Sequence, residues 1–312
     1  MPDFLSEGLK RLFAVAKPAE AGEKQRMRLG LLEAWVSIGG NIILFVLKYL
    51  IGVFTRSIAI IADSFHTLSD VVTSIVVLFG FRMSSKGPDK EHPYGHGRIE
   101  TIATLIIAIL LVMTGVEFIR SSYDRLLHPV RVGGGWWVAA VLALSGIFKE
   151  WMARFSFNLG KEINSTTLKA DGWHHRSDAI ASLLVAAGNA VTVWGLNWID
   201  PILGFAVSLL IIYTGFDLAR GSANTLVGTS PPVSVLENIS SLASSVAGVK
   251  AVHGVQVHEY GIIKEISLHV VVDERLDLLS AHKVAASVEK KVADTLQAQV
   301  VVHVDPRTER ED

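Results

Sequence analysis

Two segments of the sequence place histidine and aspartate on one face of a helix. The string ADSFHTLSD holds Asp63, His66 and Asp70, and the string ADGWHHRSD holds His174 and Asp178. Their offsets of three and four residues put each set on a single helix face. Two imidazoles and two carboxylates supply four ligands for one tetrahedral divalent cation, and they cancel its charge. The spacing therefore predicts a shared metal site of His66, Asp70, His174 and Asp178, with Asp63 as an additional candidate ligand.

A second group of candidate ligands lies in a short polar segment, PDKEHPYGHGRIE. Asp89, His92 and His96 are spaced so that one turn can bring a carboxylate and two imidazoles together. Three protein ligands can leave a coordination position for water or another group. The alternative is that these are exposed loop side chains that bind no metal.

The C-terminal part of the chain is rich in histidine. His303 and Asp305 lie two residues apart in a β-type run, so they share a face of that strand, and His269 lies in another such run. A metal cluster is one interpretation, and a solvated polar sheet face is the other. The candidate residues are His253, His258, His269, His282, His303 and Asp305. His128 and His175 are assigned to no site.

The first two strings lie in long apolar blocks. Half of the 312 residues are hydrophobic, and their arrangement in blocks is typical of a membrane protein. A spanning helix needs about 20 residues. Six blocks approach that length: Ala34–Phe54, Ser57–Phe81, Thr101–Ile119, Gly135–Phe157, Trp173–Trp194 and Ile202–Phe216. Each ionised side chain in a bilayer costs about 2.5–3.5 kcal/mol on insertion scales. The matching pairs in two blocks therefore favour a functional site over a structural polar network or residues at helix ends.

Composition excludes several classes of site and partner. The chain has no cysteine, which excludes disulfides and thiolate metal sites and argues against Cu(I) as cargo. Its net charge of −1 gives no indication of a nucleic-acid partner. The first thirty residues are basic and amphipathic, and they lack the apolar core and cleavage site of a signal peptide.

The distribution of loop charges predicts an orientation in the membrane. Lysine and arginine are frequent before the first block and after the second and fourth blocks, with Arg120, Arg125 and Arg131 as the exception. The positive-inside rule then places both termini in the cytoplasm. We predict a cytoplasmic N-terminal segment (1–30), a six-helix transmembrane bundle (31–222) and a cytoplasmic metal-binding domain (230–308).

The pattern changes after Pro231 and Pro232, where short amphipathic elements replace the apolar blocks. The elements are a helix over 233–246, strands over 249–258 and 265–272, a helix over 280–297 and a strand over 300–304. This αββαβ order is sufficient for a small α+β domain. We predict a ferredoxin-like layer of helices on a three-stranded sheet.

Four strings together resemble one protein family. ADSFHTLSD, HPYGHGRIE, ADGWHHRSD and VVHVDP, in that order, are similar to the motifs of the cation diffusion facilitator family of zinc transporters, in particular its bacterial members. The resemblance implies a multi-pass homodimer in the cytoplasmic (inner) membrane, whose cytoplasmic domains are paired by metal. It implies a transport site of His66, Asp70, His174 and Asp178, a loop site of Asp89, His92 and His96, and a cytoplasmic binuclear site of His253, His269, His282, His303 and Asp305. His258 has no counterpart.

The chain departs from the family pattern at two positions. Some similar bacterial members have aspartate where His66 stands and also handle cadmium. With histidine at this position, the chain more closely resembles the zinc-selective members. Many members also have an acid after the sixth span that pairs with a basic residue of the third. Arg98 occupies the basic position, but the matching stretch TLVGTS has Gly228 and no acid.

These observations predict an exporter of a divalent cation, with Zn²⁺ as the first choice and protons as the counter-ion. Imidazoles and carboxylates, with reference pKa values of about 6.5 and about 4, must lose protons before they bind metal. Zn²⁺ would also serve as a structural or regulatory ion in the cytoplasmic domain. Fe²⁺ and Mn²⁺ are alternative cargoes, although nitrogen-rich ligation favours Zn²⁺ over Mn²⁺.

Two other classes of function compete with a transporter. A non-transporting metal sensor or scaffold would use the cytoplasmic domain alone. An intramembrane hydrolase is disfavoured because the sequence contains no His-Glu-x-x-His string. We therefore do not expect an enzyme.

Overall fold

The computed structural model describes residues 22–55, 58–127, 135–191, 199–261 and 263–306. Most of the predicted N-terminal segment, and also His128 and Arg131, lie outside the described residues. The chain divides into two compact units. The first ends at Lys86 and resumes over Ile99–Ala223, whereas the second combines Gly87–Arg98 with the chain from Asn224 onward.

Long helices account for the first unit, and each overlaps one predicted apolar block. They are α1 Gly22–Thr55, α2 Ile58–Ser84, α3 Arg98–Leu127, α4 Gly135–Glu162, α5 Thr166–Val191 and α6 Ile199–Val227. Within the described ranges, four stretches are long and apolar enough to cross a membrane: Gln25–Phe54, Asp63–Ser84, Arg98–Leu127 and Gly204–Val227. α4 and α5 do not meet that standard. They carry charged side chains in their central turns, and several of these side chains belong to the site described below.

An apolar cluster joins the four helices that carry the candidate ligands and their partners. Phe81 of α2 is almost completely buried, and it belongs to one cluster with Leu29 of α1, Leu159 of α4 and Leu168 of α5. Close packing of such side chains fixes the relative positions of their helices. The polar side chains of α1, α2, α4 and α5 are therefore held in a common interior.

The second unit contains a small α+β fold in the predicted order. Its elements are α7 Val233–Ser244, β1 Ala251–Tyr260, β2 Ile263–Val272, α8 Leu278–Leu296 and β3 Gln299–Pro306. The sheet order is β1-β2-β3, with β1 antiparallel and β3 parallel to the central strand. At the start of α8, Asp277 accepts a hydrogen bond of 2.7 Å from the backbone N–H of Ser280. That bond caps the helix and lowers the pKa of Asp277.

The two faces of this sheet differ in character. Leu268 and Val270 of β2 are fully buried and share an apolar core with Val288 and Val292 of α8. Because side chains alternate along a strand, His269 lies on the opposite face. The helices therefore cover one face of the sheet, and His269 lies on the other.

Candidate metal centres

The ligands predicted from two helices come together inside the first unit. Asp70 of α2 and Asp178 of α5 are 4% and 5% exposed. The Nε2 atom of His174 lies 3.7 Å from Asp70 Oδ1 and 3.7 Å from Asp178 Oδ2. His66, Asp70 and Asp178 each offer a donor atom within 4.8 Å of the other two. The structure thus gathers all four predicted side chains around one point.

A lysine outside the two motifs lies between the two carboxylates of this group. The Nζ atom of Lys149, on α4, donates to Asp70 Oδ2 at 2.7 Å and to Asp178 Oδ2 at 2.9 Å. Lys149 is 2% exposed. Its ammonium supplies one positive charge between two carboxylates that would otherwise repel each other at low dielectric. In the sequence, Lys149 is recognisable only as a charged residue that interrupts the apolar block Gly135–Phe157.

Part of the ligand set is still without a hydrogen-bond partner. Both ring nitrogens of His174 and the Oδ1 atom of Asp178 are buried and make no hydrogen bond in the described structure. Buried polar atoms are nearly always paired. These unpaired nitrogen and oxygen atoms include lone pairs that can coordinate a cation.

A second lysine pairs with the additional candidate ligand. Lys48 of α1 is 3% exposed, and its Nζ atom lies 2.7 Å from Asp63 Oδ2 and 2.9 Å from the hydroxyl of Thr67. Asp63 thus has a counter-charge of its own, which argues against it as a ligand while that pair is intact. Lys48, Asp63, His66, Asp70 and Lys149 all line one cavity of about 260 Å³. The cavity therefore adjoins the predicted transport site.

The loop residues also converge as predicted. Asp89, His92 and His96 offer donor atoms within 4.8 Å of one another. Asp89 Oδ2 lies 3.6 Å from His96 Nε2, and Asp89 Oδ1 lies 3.7 Å from His92 Nδ1. Asp89 Oδ1 also accepts the backbone N–H groups of Glu91 and His92, at 3.0 and 2.9 Å. These bonds orient the carboxylate within a short turn.

The same loop packs against the turn between β1 and β2. The ring of Tyr94 stacks on Tyr260 with centroids 4.6 Å apart. The guanidinium of Arg98 lies 4.3 Å from the centre of the Tyr260 ring, and its Nε donates to the carbonyl of Glu259 at 3.1 Å. Arg98 therefore makes these contacts within its own chain. The sequence did not indicate them.

Three strands bring the C-terminal ligands into one row. His253 pairs with His269 across β1 and β2, and His269 pairs with His303 across β2 and β3. Asp305 Oδ2 lies 3.0 Å from His253 Nε2 and 3.0 Å from His269 Nδ1, and Asp305 Oδ1 lies 3.4 Å from His303 Nε2. One carboxylate thus faces three imidazoles. That arrangement suits a divalent cation with nitrogen and oxygen ligands.

A β-bulge contributes to this geometry. The pairing of β1 with β2 shifts register between His253 and Gln256, and Gly254 has a φ of +61°. A Cβ atom at Gly254 would lie 2.9 Å from His269 Cδ2. Glycine therefore permits both the positive φ and the close approach of the two histidines.

Two predicted histidines lie apart from this row. His282 is exposed on α8, and His258 is exposed on β1 opposite Glu265. Among the described residues, neither joins His253, His269 and Asp305 in the group of donors within 4.8 Å of one another. A role for His282 in a binuclear site stays a prediction.

Comparisons with known proteins agree with this division of the chain. Residues 34–227 match the family described as the cation efflux transmembrane domain, and residues 231–307 match the cytoplasmic domain of cation efflux proteins. The chain is 35% identical to an uncharacterised transporter of Methanocaldococcus jannaschii, over 86% of this chain and 96% of that protein. It is 34% identical to metal tolerance protein C1 of Arabidopsis thaliana, over 93% of this chain and 64% of that protein. It is 27% identical to the manganese efflux system protein MneS of Bacillus subtilis, over 88% of this chain and 94% of that protein.

These matches confirm the resemblance drawn from the four strings. The two family domains together account for most of the chain, and the relatives carry names of metal efflux and metal tolerance. The family consists of divalent metal transporters and not of enzymes, which agrees with the missing hydrolase motif. The chain belongs to the cation diffusion facilitator family of cation efflux transporters.

Proposed function

We propose that this transporter exports Zn²⁺ from the cytoplasm in exchange for protons, through the site of His66, Asp70, His174 and Asp178. The observation that carries the proposal is the convergence of two imidazoles and two carboxylates: Asp70, His174 and Asp178 are buried, His66 is exposed, and Lys149 already pairs with both carboxylates. Such a ligand set has the number and type of donors that tetrahedral Zn²⁺ takes in proteins. The relatives named for manganese efflux make Mn²⁺ the first alternative, and Fe²⁺ is the second.

We further propose that α4 and α5 cross the membrane with the other four helices and that both termini are cytoplasmic. The charged side chains that lower the apolarity of α4 and α5 include Lys149 and Asp178, and these are buried against each other. Intramembrane ionisable groups commonly face the interior of a bundle and pair there. The composition of these two helices is therefore compatible with a spanning role.

Charge balance in the site suggests how metal and protons alternate. Two carboxylates and the Lys149 ammonium sum to one negative charge, and one proton would make the metal-free site neutral. A divalent ion bound by the same carboxylate oxygens balances both negative charges, so the ammonium must then move to another partner or lose its proton. Lys149 thus competes with the metal. When the site holds no metal, Lys149 also pairs with carboxylates that would otherwise be buried without a counter-charge.

The open face of the C-terminal sheet supports a second role for metal. Family membership favours a homodimer through this domain. The row of His253, His269 and His303 lies on the face that the helices leave uncovered, with Asp305 between them. A resident Zn²⁺ there would hold the three strands together and favour the dimer. A non-transporting sensor would need only this site, whereas a transporter also needs the site between the helices.

Replacement of Asp178 by Asn tests the transport site. The change keeps the side-chain size but removes a ligand charge, so Zn²⁺ flux should fall by more than about 100-fold. Ser182→Ala, which alters the lining of the same cavity without removing a ligand, should keep wild-type flux. The measurement is Zn²⁺ uptake into sealed vesicles together with a size-exclusion profile. Wild-type flux in folded Asp178→Asn protein would rule out the assigned site.

Replacement of Lys149 by Met tests the competition between lysine and metal. Without the ammonium the two carboxylates lack a partner, and breaking a buried pair typically costs about 3–5 kcal/mol. Metal-free protein should therefore unfold at a lower temperature than wild type, and saturating Zn²⁺ should restore most of the loss. The Kd for Zn²⁺ at this site should decrease, while maximal flux should also decrease. Lys149→Arg retains the charge and serves as the control. An unchanged Kd and an unchanged metal-free melting temperature in Lys149→Met would contradict the competition.

Replacement of His66 by Asp tests selectivity. The site would then have one imidazole and three carboxylates, and oxygen-rich ligation favours harder ions such as Mn²⁺ relative to Zn²⁺. The ratio of Mn²⁺ to Zn²⁺ flux should rise by about tenfold, which corresponds to about 1.4 kcal/mol. Ser69→Ala, on the same helix, is the control because its hydroxyl donates to the carbonyl of Phe65 in that helix. Identical ion ratios in all three proteins would show that His66 does not contact the cargo.

Replacement of His269 by Ala tests the cytoplasmic site. The C-terminal domain, expressed from Ser230 onward, should form a dimer that Zn²⁺ stabilises, because a ligand that binds only the folded state raises the melting temperature. His269→Ala should remove most of this increase, while His258→Ala, on the neighbouring strand but outside the cluster, should keep it. Differential scanning fluorimetry and light scattering with and without Zn²⁺ provide the measurement. A melting temperature indifferent to Zn²⁺ in the unmodified domain would exclude a metal site there.

A further inference from the structure

A second group of buried metal-ligand side chains lies between α1 and α5, outside the transport site. Glu33 belongs to α1, while Asp171 and His175 stand four residues apart on α5. All three residues are 0% exposed, and each offers a donor atom within 4.8 Å of the other two. None of them was assigned a role from the sequence, because His174 and Asp178 of the same string account for the family motif.

Several donor atoms of this group make no hydrogen bond. In the described part of the chain these atoms are Glu33 Oε2, Oδ1 of Asp171 and Nδ1 of His175. Within the group, His175 Nε2 lies 3.1 Å from Asp171 Oδ2. Leaving buried charged groups without hydrogen bonds is costly, and native structures rarely do so. The unpaired oxygens and nitrogen therefore indicate a missing partner.

Two serines orient the ligands without satisfying them. The hydroxyl of Ser37 lies 3.0 Å from His175 Nε2 and 3.1 Å from Glu33 Oε1. The hydroxyl of Ser156, from α4, donates to the same oxygen of Glu33. These contacts fix one oxygen of Glu33 and one nitrogen of His175. Supporting hydrogen bonds of this kind are typical around metal ligands.

The group differs from the transport site in how its negative charge is compensated. Lys149 and Lys48 neutralise the carboxylates that line the cavity, but among the described residues no lysine or arginine forms an ion pair with Glu33 or Asp171. Two carboxylates and a neutral imidazole would balance the charge of a divalent cation, and an uncompensated pair costs several kcal/mol per ion. A cation from solution is therefore the partner that fits.

We propose that Glu33, Asp171 and His175 form a second divalent-cation site inside the helical unit. Its set of two carboxylates, one imidazole and nearby hydroxyls is richer in oxygen than the transport site, so it suits Mn²⁺ better than the four-ligand site does. The rings of His174 and His175 have centroids 5.8 Å apart. The two sites are therefore neighbours on α5, with separate ligands. Binding at this site does not depend on the proposed choice of Zn²⁺ as cargo.

The test is Mn²⁺ binding to the full-length chain in a background that lacks the other candidate ligands. Asp178→Asn, His92→Ala and His269→Ala together disable the transport, loop and cytoplasmic sites. Equilibrium dialysis with metal analysis should still find one Mn²⁺ per chain, and electron spin-echo measurements should show one coordinated histidine nitrogen. Adding Glu33→Gln or Asp171→Asn should weaken this binding by at least about tenfold. Adding Asn41→Ala, a buried polar residue of α1 outside the group, should leave it unchanged.

Two results would overturn the proposal. One is a background protein that binds no Mn²⁺ at millimolar concentration, and the other is equal Mn²⁺ affinity with and without Glu33→Gln. If the combined background fails to fold, the comparison is made between the wild-type chain and Glu33→Gln alone. The amide of the Glu33→Gln variant keeps an oxygen that can accept from Ser37 and Ser156, so this variant should fold. One ion fewer per chain supports the site, and an equal number of ions excludes it.

Discussion

The ammonium of Lys149, held between Asp70 and Asp178, is the interaction on which the arrangement of the helical unit depends. Two carboxylates that face each other in a low-dielectric interior repel, and removing each from water costs several kcal/mol. A cation between them is therefore a condition for packing α2 against α5, and α4 supplies one from the chain itself. A divalent ion meets the same condition. Metal and ammonium thus compete for the same carboxylates, and Lys149 must leave them or lose its proton when the metal binds.

The same constraint distinguishes the other buried acids of the unit. Asp63 has its own lysine, Lys48, at 2.7 Å, so its charge is balanced before any metal enters. Glu33 and Asp171 have serine hydroxyls and an imidazole nearby. A neutral hydroxyl donates a hydrogen bond but supplies no charge. The helical unit therefore contains acids that are complete without metal and acids that are not, and the second kind marks where a cation is needed.

Spacing along the helices was enough to predict which ligands would meet. His66 with Asp70, and His174 with Asp178, are local patterns, and helical geometry converts them directly into faces. The αββαβ order and the row of C-terminal histidines followed in the same way from alternation along strands. The partners supplied by other elements could not be predicted, because a lysine in an apolar block has no local signal for the helix it will reach. Long-range contacts such as those of Tyr94 with Tyr260 and of Ser37 with His175 likewise leave no mark on the local sequence.

The segment between α2 and α3 places the loop ligands in the same part of the structure as the ligands of the C-terminal sheet. From the sequence, Asp89, His92 and His96 formed a loop of the transmembrane bundle, but in the structure Gly87–Arg98 belongs to the same compact unit as the C-terminal sheet. Tyr94 and Arg98 both contact Tyr260, at the end of the strand that carries His253. Arg98 is also the first residue of α3. Both groups of ligands therefore lie in one compact unit, and that unit also contains Arg98, the residue at which α3 begins.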